Sequence, residues 1–205
     1  MAERFVEGFE TVGTNVKRKL GNKSLDKNVV GAGSVPAAMA PYVTATEYGD
    51  GTFHQTVLTL SAVPVTMGDT AQGGGVKVYD FPLGRIMRLG GTGTIAVTTT
   101  SALATTLNTG VTCNWGVGST TQASATLATT EQDLVNVTAF TASATIDVAG
   151  ANSTGVGAAV LASLDGTSAA VDAYLNLAVA VATDIDGDAT VTVSGTVKIT
   201  WINLT

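Results

Sequence analysis

The chain has 205 residues, enough for one large β domain or for a domain with an appended arm. Charged residues make up only 13%, against roughly 25% in an ordinary soluble domain, which implies a surface covered by copies of itself or by a larger partner, or else solvated Thr and Ser faces. A hydrophobic content of 45% at a net charge of −6 excludes a disordered chain, and an acidic body excludes nucleic acid as its partner, because phosphate binding requires cations.

Residues 1–34 differ in character from the rest of the chain. Residues 1–28 hold six of the ten basic groups, Arg4, Lys17, Arg18, Lys19, Lys23 and Lys27, whereas beyond Leu89 only Lys198 is positive. "GNKSLDKNVVGAGS" is rich in turn formers. In "RFVEGF", Phe5, Val6 and Phe9 stand near helical spacing, but Gly8 costs such a helix about 1 kcal/mol. The segment reads as an extended arm with one helical turn at most, and its cations as a solvated or protein-docking face. The opening "MAERFVEGFE" has acids where a signal peptide would have its basic and apolar regions, and no apolar run reaches the ~18–20 residues of a membrane span. Cys113 is the single cysteine and makes no internal disulfide, so synthesis in a reducing cytoplasm is the expectation.

From Val35 to Thr205 the pattern predicts β structure. "TFHQTVLTLSAVPVTM" alternates Phe53, Gln55, Val57 and Thr59 with His54, Thr56, Leu58 and Leu60, a mixed pattern suited to a strand covered on both faces. Pro64 is expected to end that strand or lie on an edge, since it has no amide hydrogen for a ladder. "GGGVKVYDFPLGRIMRL" gives two pieces divided by Pro82 and Gly84, and "TIAVTTT" alternates again. Between Ser101 and Thr130 short β-branched pieces are separated by turn formers, and "VNVTAFTASATIDVAG" supplies one or two further strands.

The last two runs are the clearest. Leu175, Leu177, Val179 and Val181 form one alternating face, and Val191, Val193, Val197, Ile199 and Trp201 form another. "TDIDGD" lies between them, and its Asp-Gly is a hairpin signal. Asp184, Asp186 and Asp188 keep the first spacing of a calcium loop, but Gly187, Ala189 and Gly195 stand where its remaining pattern fails, so a turn is favoured over a weak calcium site.

Chemistry is scarce. One histidine, His54, and one cysteine leave no room for a zinc set, and no "GxSxG" elbow accompanies His54, which reads as a satisfied structural residue on a strand. Cys113 and Trp115 read as core. "GGTGTIA" imitates a dinucleotide fingerprint, yet β-branched residues come next where a helix must open. Paired carboxylates for sugar hydrolysis would have to come from Glu131 and Asp133 or from the 184–188 turn, but "TTEQDLV" reads more simply as a turn or capped short helix with Thr130 three residues before Asp133. No constant turn period supports an ice-binding solenoid. No catalytic residue, cofactor or metal is assigned.

Three blocks, "YGDGTFHQTVLTLSAVPVTMGD", "GGGVKVYDFPLGRIMRLG" and "AYLNLAVAVATDIDGDATVTVSGTVKITWINL", resemble a group of virion structural proteins of tailed bacteriophages. "YDFPLGRI" and the closing "YLNL…GTVKITWINL" carry the resemblance, which covers about residues 36–204 and leaves out the charged arm. It implies an all-β protein, an antiparallel β-sandwich of jelly-roll type over residues 35–205, that decorates or cements the capsid on the outside of the head, and the segment 1–34 adds the extended N-terminal arm read from its own residues. The implied partners are the major capsid protein and copies of itself, as a homotrimer, with no nucleic acid and no membrane. In that picture Phe5, Val6, Phe9, Lys17, Arg18 and Lys19 reach over a neighbouring subunit or the shell. The competing expectation is a tail or receptor-binding module that grips a cell-surface glycan through Tyr42, Tyr48, Trp115 and Asp184–Asp188.

Overall fold

β-Branched and alternating residues place most of the chain in extended strands, and the only helical pieces among the described residues are three-residue 3-10 turns at Ala37–Met39, Thr129–Glu131 and Ala182–Asp184. The structure, a computed structural model, describes residues 26–27, 31–50, 52–99, 112–141, 147–148, 152–153, 163–185 and 189–204. In chain order the strands are β1 (Asp26–Lys27), β2 (Val43–Gly49), β3 (Phe53–Met67), β4 (Gly73–Asp80), β5 (Gly84–Thr99) and β6 (Thr112–Gly118). After them come β7 (Val135–Thr141), β8 (Asp147–Val148), β9 (Asn152–Ser153), β10 (Ser163–Gly166), β11 (Asp172–Val179) and β12 (Ala189–Asn203).

The strands form two antiparallel sheets. The larger is ordered β1-β2-β3-β12-β5-β10, with β8 and β9 also on β5, and the smaller β4-β11-β6-β7. "GRIMRLGG" and "TIAVTTT", expected as separate pieces, run on as the single strand β5. One apolar core lies between the sheets, with Leu58, Val65, Ile95 and Val193 from the larger and Val78, Trp115, Val117 and Leu175 from the smaller, all buried.

The Asp-Gly hairpin expected between the last two strands does not form. β11 pairs with β4 and β6, whereas β12 pairs with β3 and β5, so the two strands lie in opposite sheets, and the Asp186-Gly187 pair itself lies outside the described residues. The physical reason is the pair of apolar faces. Leu175, Leu177 and Val179 on β11 and Val191, Val193, Val197, Ile199 and Trp201 on β12 are all buried, and strands in opposite sheets bury both rows in one core. At about 1.5–3 kcal/mol for each fully buried large apolar side chain, these rows outweigh the preference of one dipeptide for a tight turn.

β3 departs from expectation in its burial and meets it at Pro64. It is covered on one face rather than both: His54, Thr56, Leu58 and Leu60 are buried, whereas Phe53, Gln55 and Val57 are half-buried and Thr59 is exposed. Pro64 does not end the strand. β2 pairs with β3 only from His54 to Leu60, so at Pro64 the strand has a free side on that flank and is held by Thr192 of β12 on the other, an edge position of the kind proline requires. Between these stretches Ser61 and Ala62 oppose Ser194 alone, a bulge in which Ala62 takes φ 52° and its amide donates to Ser194 Oγ at 2.9 Å. Across from it Gly195 takes φ 147°, and a Cβ there would run into the Thr94 carbonyl of β5.

Two glycine substitutions in the central ladder therefore have opposite outcomes. Gly195→Ala is expected to cost about 1–3 kcal/mol through strain at the bulge. Gly90→Ala, where a Cβ meets nothing within 4 Å, is expected to stay within about 0.5 kcal/mol of the parent in urea unfolding.

Candidate functional site

Polar side chains inside a two-sheet core are costly unless paired, so their positions show where the fold spends its chemistry. One set forms a row at one end of the larger sheet. His54 on β3, Trp201 on β12 and Arg88 on β5 are consecutive cross-strand partners, and all three are buried. The His54 ring lies flat on the Trp201 indole, with centroids 3.9 Å apart and planes 9° from parallel. Phe81 meets Trp201 edge-on, with centroids 5.3 Å apart.

Glu47 of β2 is the acceptor on which this row converges. Trp201 Nε1 donates to Thr56 Oγ1 at 2.9 Å, and Thr56 Oγ1 donates to Glu47 Oε1 at 2.9 Å. Tyr79 of β4 donates its hydroxyl to Glu47 Oε2 at 3.1 Å and accepts the Gly33 amide at 2.8 Å. His54 Nδ1 stands 3.4 Å from Glu47 Oε1, and no hydrogen bond reaches either ring nitrogen, so the histidine is buried as expected but not satisfied. Burial pushes the Glu47 carboxyl above its ordinary range against the hydrogen bonds that favour its charge. Burial and the neighbouring Glu47 push the Tyr79 phenol upward. Arg88 is lowered by burial, with the charge of Asp133 acting against that, and Asp133 is raised by burial.

A second set holds the connection 119–134 against the outer face of the smaller sheet. Asn176 of β11 accepts the Gln122 amide at 2.8 Å and donates to the carbonyls of Thr120 and Glu131 at 2.9 and 2.8 Å. Glu131 accepts the amides of Ala123 and Ala128 and the hydroxyl of Ser124, while Asp133 accepts both the amide and the hydroxyl of Ser119. Both carboxylates of the sugar-hydrolysis candidate are thus occupied with loop backbone. The Thr130 to Asp133 cap does not form, because Asp133 turns to Ser119 and Thr130 accepts the Thr120 hydroxyl instead. Gly75 and Gly118 lie under this loop, where a Cβ would come closer than 3.0 Å to Asn176, Thr121 and the backbone of Thr130 and Glu131. Two glycines of "GGTGTIA" serve packing of the same kind: a Cβ at Gly91 would run into the Leu134 carbonyl, and one at Gly93 would sit 2.7 Å from the Trp115 ring.

At the surface, Lys77 bridges two carboxylates that face each other across β4 and β11, Asp80 at 2.8 Å and Asp172 at 3.5 Å. Tyr174 donates to Asp172 Oδ2 at 2.9 Å. Burial disfavours charge on Asp172, but the hydrogen bonds with Asp80 and Tyr174 and the Lys77 charge prevail and hold its carboxyl below the usual range. The bond to Asp80 raises the Lys77 ammonium.

The residues singled out in sequence are distributed unevenly. Phe5, Val6, Phe9, Lys17, Arg18 and Lys19 lie outside the described residues, as do Asp186 and Asp188. Asp184 falls in the 3-10 turn Ala182–Asp184. Tyr42 and Tyr48 are half-buried on and beside β2. Trp115 is fully buried on β6 and cannot present its ring to a glycan, which removes it from that set. Part of the segment read as an arm is tied to the body: Asp26–Lys27 pair with Tyr48–Gly49, and Ser34 exchanges two 2.8 Å backbone bonds with Asp80. Among the described residues no three His, Cys, Asp or Glu side chains gather as a metal set, and no helix is long and apolar enough to cross a membrane.

No protein-family model, curated protein or solved structure matches this chain.

Asn176→Ala is expected to lower stability by roughly 3 kcal/mol, because it strands one buried amide and two carbonyls. Amide exchange should then accelerate across 119–134 while β12 stays protected. Uniform acceleration would mean that the loop and the sheet open as one unit.

Proposed function

We propose that the protein is a structural component of a tailed-phage virion, a decoration or cement protein bound in many copies to the outer face of the head. On this reading the body is a jelly-roll β-sandwich, the segment before Val35 is an extended arm, and the protein works by contact rather than catalysis. The observation that carries the reading is the strand order. Taking β3, β4, β5, β6, β7, β10, β11 and β12 as eight successive strands, one sheet reads first-eighth-third-sixth and the other second-seventh-fourth-fifth. That order supports a double Greek key wound as a jelly roll, an architecture that recurs in viral capsid proteins and in lectins.

Two further observations support it. The charges most deeply placed in the body are turned inward or tied to neighbouring backbone, leaving an outer skin of Thr and Ala for contact with protein. The three blocks that resemble phage virion proteins coincide with β3, with β4 and the first part of β5, and with β11 and β12, which include the centres of both sheets. A cement protein strengthens a shell by mass action, since its contacts exist only in the assembled particle. The partners on this reading are the major capsid protein and two further copies of this chain in a homotrimer. Lectin-like glycan binding is the competing use of the same architecture, and it loses Trp115 as a gripping ring.

Quantitative mass spectrometry of purified particles tests the assignment. Copies in fixed proportion to the major capsid protein are expected; a count matching the tail proteins would refute a place on the head. Deleting residues 1–25 leaves the pairs made by Asp26, Gly33 and Ser34 in place. This truncation is expected to keep its circular dichroism spectrum and to lose binding to expanded heads, and full retention of binding would remove the arm from the contact.

A further inference from the structure

We propose that Glu47 and His54 share one proton in the folded protein, and that this proton closes a pH-sensitive clasp joining both sheets to the chain at Gly33. The clasp would exist whether or not the protein belongs to a virion. All the hydrogen bonds found in this cluster point toward Glu47: Trp201 to Thr56 to Oε1 on one side, and Gly33 to Tyr79 to Oε2 on the other. Both carboxylate oxygens are therefore acceptors. The remaining neighbour is His54 Nδ1, 3.4 Å from Oε1, on a fully buried ring with neither nitrogen hydrogen-bonded.

Three arrangements are conceivable for that contact. With Glu47 ionised and His54 neutral, a carboxylate held by two neutral hydroxyls is buried beside an unsatisfied imidazole, which disfavours that state. With a proton on Nδ1 the contact becomes an ion pair, and with a proton on Oε1 it becomes a neutral hydrogen bond to the ring. Both of the latter hold one proton between the same two atoms, and a contraction of a few tenths of an ångström brings them to hydrogen-bond distance.

The other charges in reach leave this requirement in place. From β4 the titratable group facing the cluster is Tyr79, a phenol that donates its proton to Glu47 and whose ionisation is opposed by burial and by that carboxylate. β12 contributes the uncharged indole of Trp201, and β3 contributes the Thr56 hydroxyl. From β5 comes Arg88, beyond Trp201 in the cross-strand row, and its charge is set against Asp133 of the 119–134 connection. The charges of Arg88 and Asp133 favour each other. Glu47 is balanced only when the proton is present.

Proton counting gives the sign of the linkage. In the unfolded chain ordinary values of about 4.3 for Glu and 6.5 for His mean that above about pH 6.5 the pair holds essentially none. The folded pair holds one, in keeping with the upward displacement of the Glu47 carboxyl by burial. A folded state that binds more protons loses stability as pH rises. The contribution is fully present between about pH 4.3 and 6.5, where the unfolded pair also holds one proton, and is lost as the pH climbs through the value at which the folded pair releases its proton.

The test is urea unfolding of the full chain from pH 5.5 to 9, beside Glu47→Gln. Above about pH 6.5 the parent's unfolding constant is expected to rise by up to tenfold per pH unit, the limit for one proton, and Glu47→Gln is expected to lack that rise. Equal slopes in the two proteins, or a flat parent, would overturn the proposal. Should Glu47→Gln fail to fold, NMR of the parent decides alone, because the chain has a single histidine and its ring signals are unambiguous. A protonated imidazole, or a neutral imidazole beside a protonated Glu47 carboxyl, at pH 7.5 supports the shared proton; a neutral ring beside an ionised carboxylate refutes it. The clasp itself is read from the Gly33 amide, whose protection factor should drop at the pH where the pair lets its proton go. A Gly33 protection factor that stays constant through that transition would disconnect the proton from the clasp.

Discussion

The placement of β12 between β3 and β5 is the constraint on which the rest of the architecture rests. Its thirteen register partners on each side hold the larger sheet together. Its inner row, from Val191 to Trp201, shares one apolar core with the row that β11 contributes from the opposite sheet. Both central strands are late in the chain and enter between strands made much earlier. Such pairings are non-local, and loop closure must be met before their contacts stabilise anything. No hairpin pairing of β11 with β12 relieves this, since the two strands lie in opposite sheets.

Joining two sheets around one core also determines where polarity can go. Hydrophobic residues fill the space between the layers, yet His54, Arg88 and Glu47 are buried at one end of it. A buried polar cluster stabilises only when its donors and acceptors are matched. Here Thr56, Tyr79, Trp201 and the Gly33 amide meet that demand for Glu47, drawing elements from both sheets and from the N-terminal side of the body into one bonded set. The outer face of the smaller sheet solves a related problem by different means. Its glycines lower the surface enough for the 119–134 connection to lie flat, and Asn176, Glu131 and Asp133 bond that connection's backbone.

These two devices bear on the proposed role. A particle component must keep its shape while making repeated contacts through weakly charged surface. Inward-facing charges and a bonded cover over the small sheet give a rigid body whose outside is free to be specialised for protein. The strands β1, β8, β9 and β10 on the flanks of the larger sheet span only two to four residues, and short flanking strands limit unwanted pairing between copies. Leu83 and Leu204 are among the large apolar residues left exposed, at the β4–β5 turn and just after β12, where Leu204 bonds the Arg85 carbonyl.

The sequence by itself determined the all-β character, the position of the strands at Phe53–Met67, Gly73–Asp80 and Ala189–Asn203, and the burial of Cys113, Trp115 and His54. Period-two alternation is a local signal, legible wherever one face is buried, and it located the β12 row and Leu175, Leu177 and Val179 of β11, whereas Val181, expected in the same row, lies past the end of that strand and is exposed. Tertiary structure alone decided which sheet each strand joins. Asp-Gly carries local turn preference but no information about the two rows of Leu and Val that had to meet across a core. It also took tertiary structure to decide the purpose of the glycines and the partners of Glu47, Glu131 and Asn176. A missing Cβ reads as flexibility until something is seen lying on it, and a buried carboxylate is recognised only when groups distant in the chain, as Tyr79 is from Glu47, come to bond it.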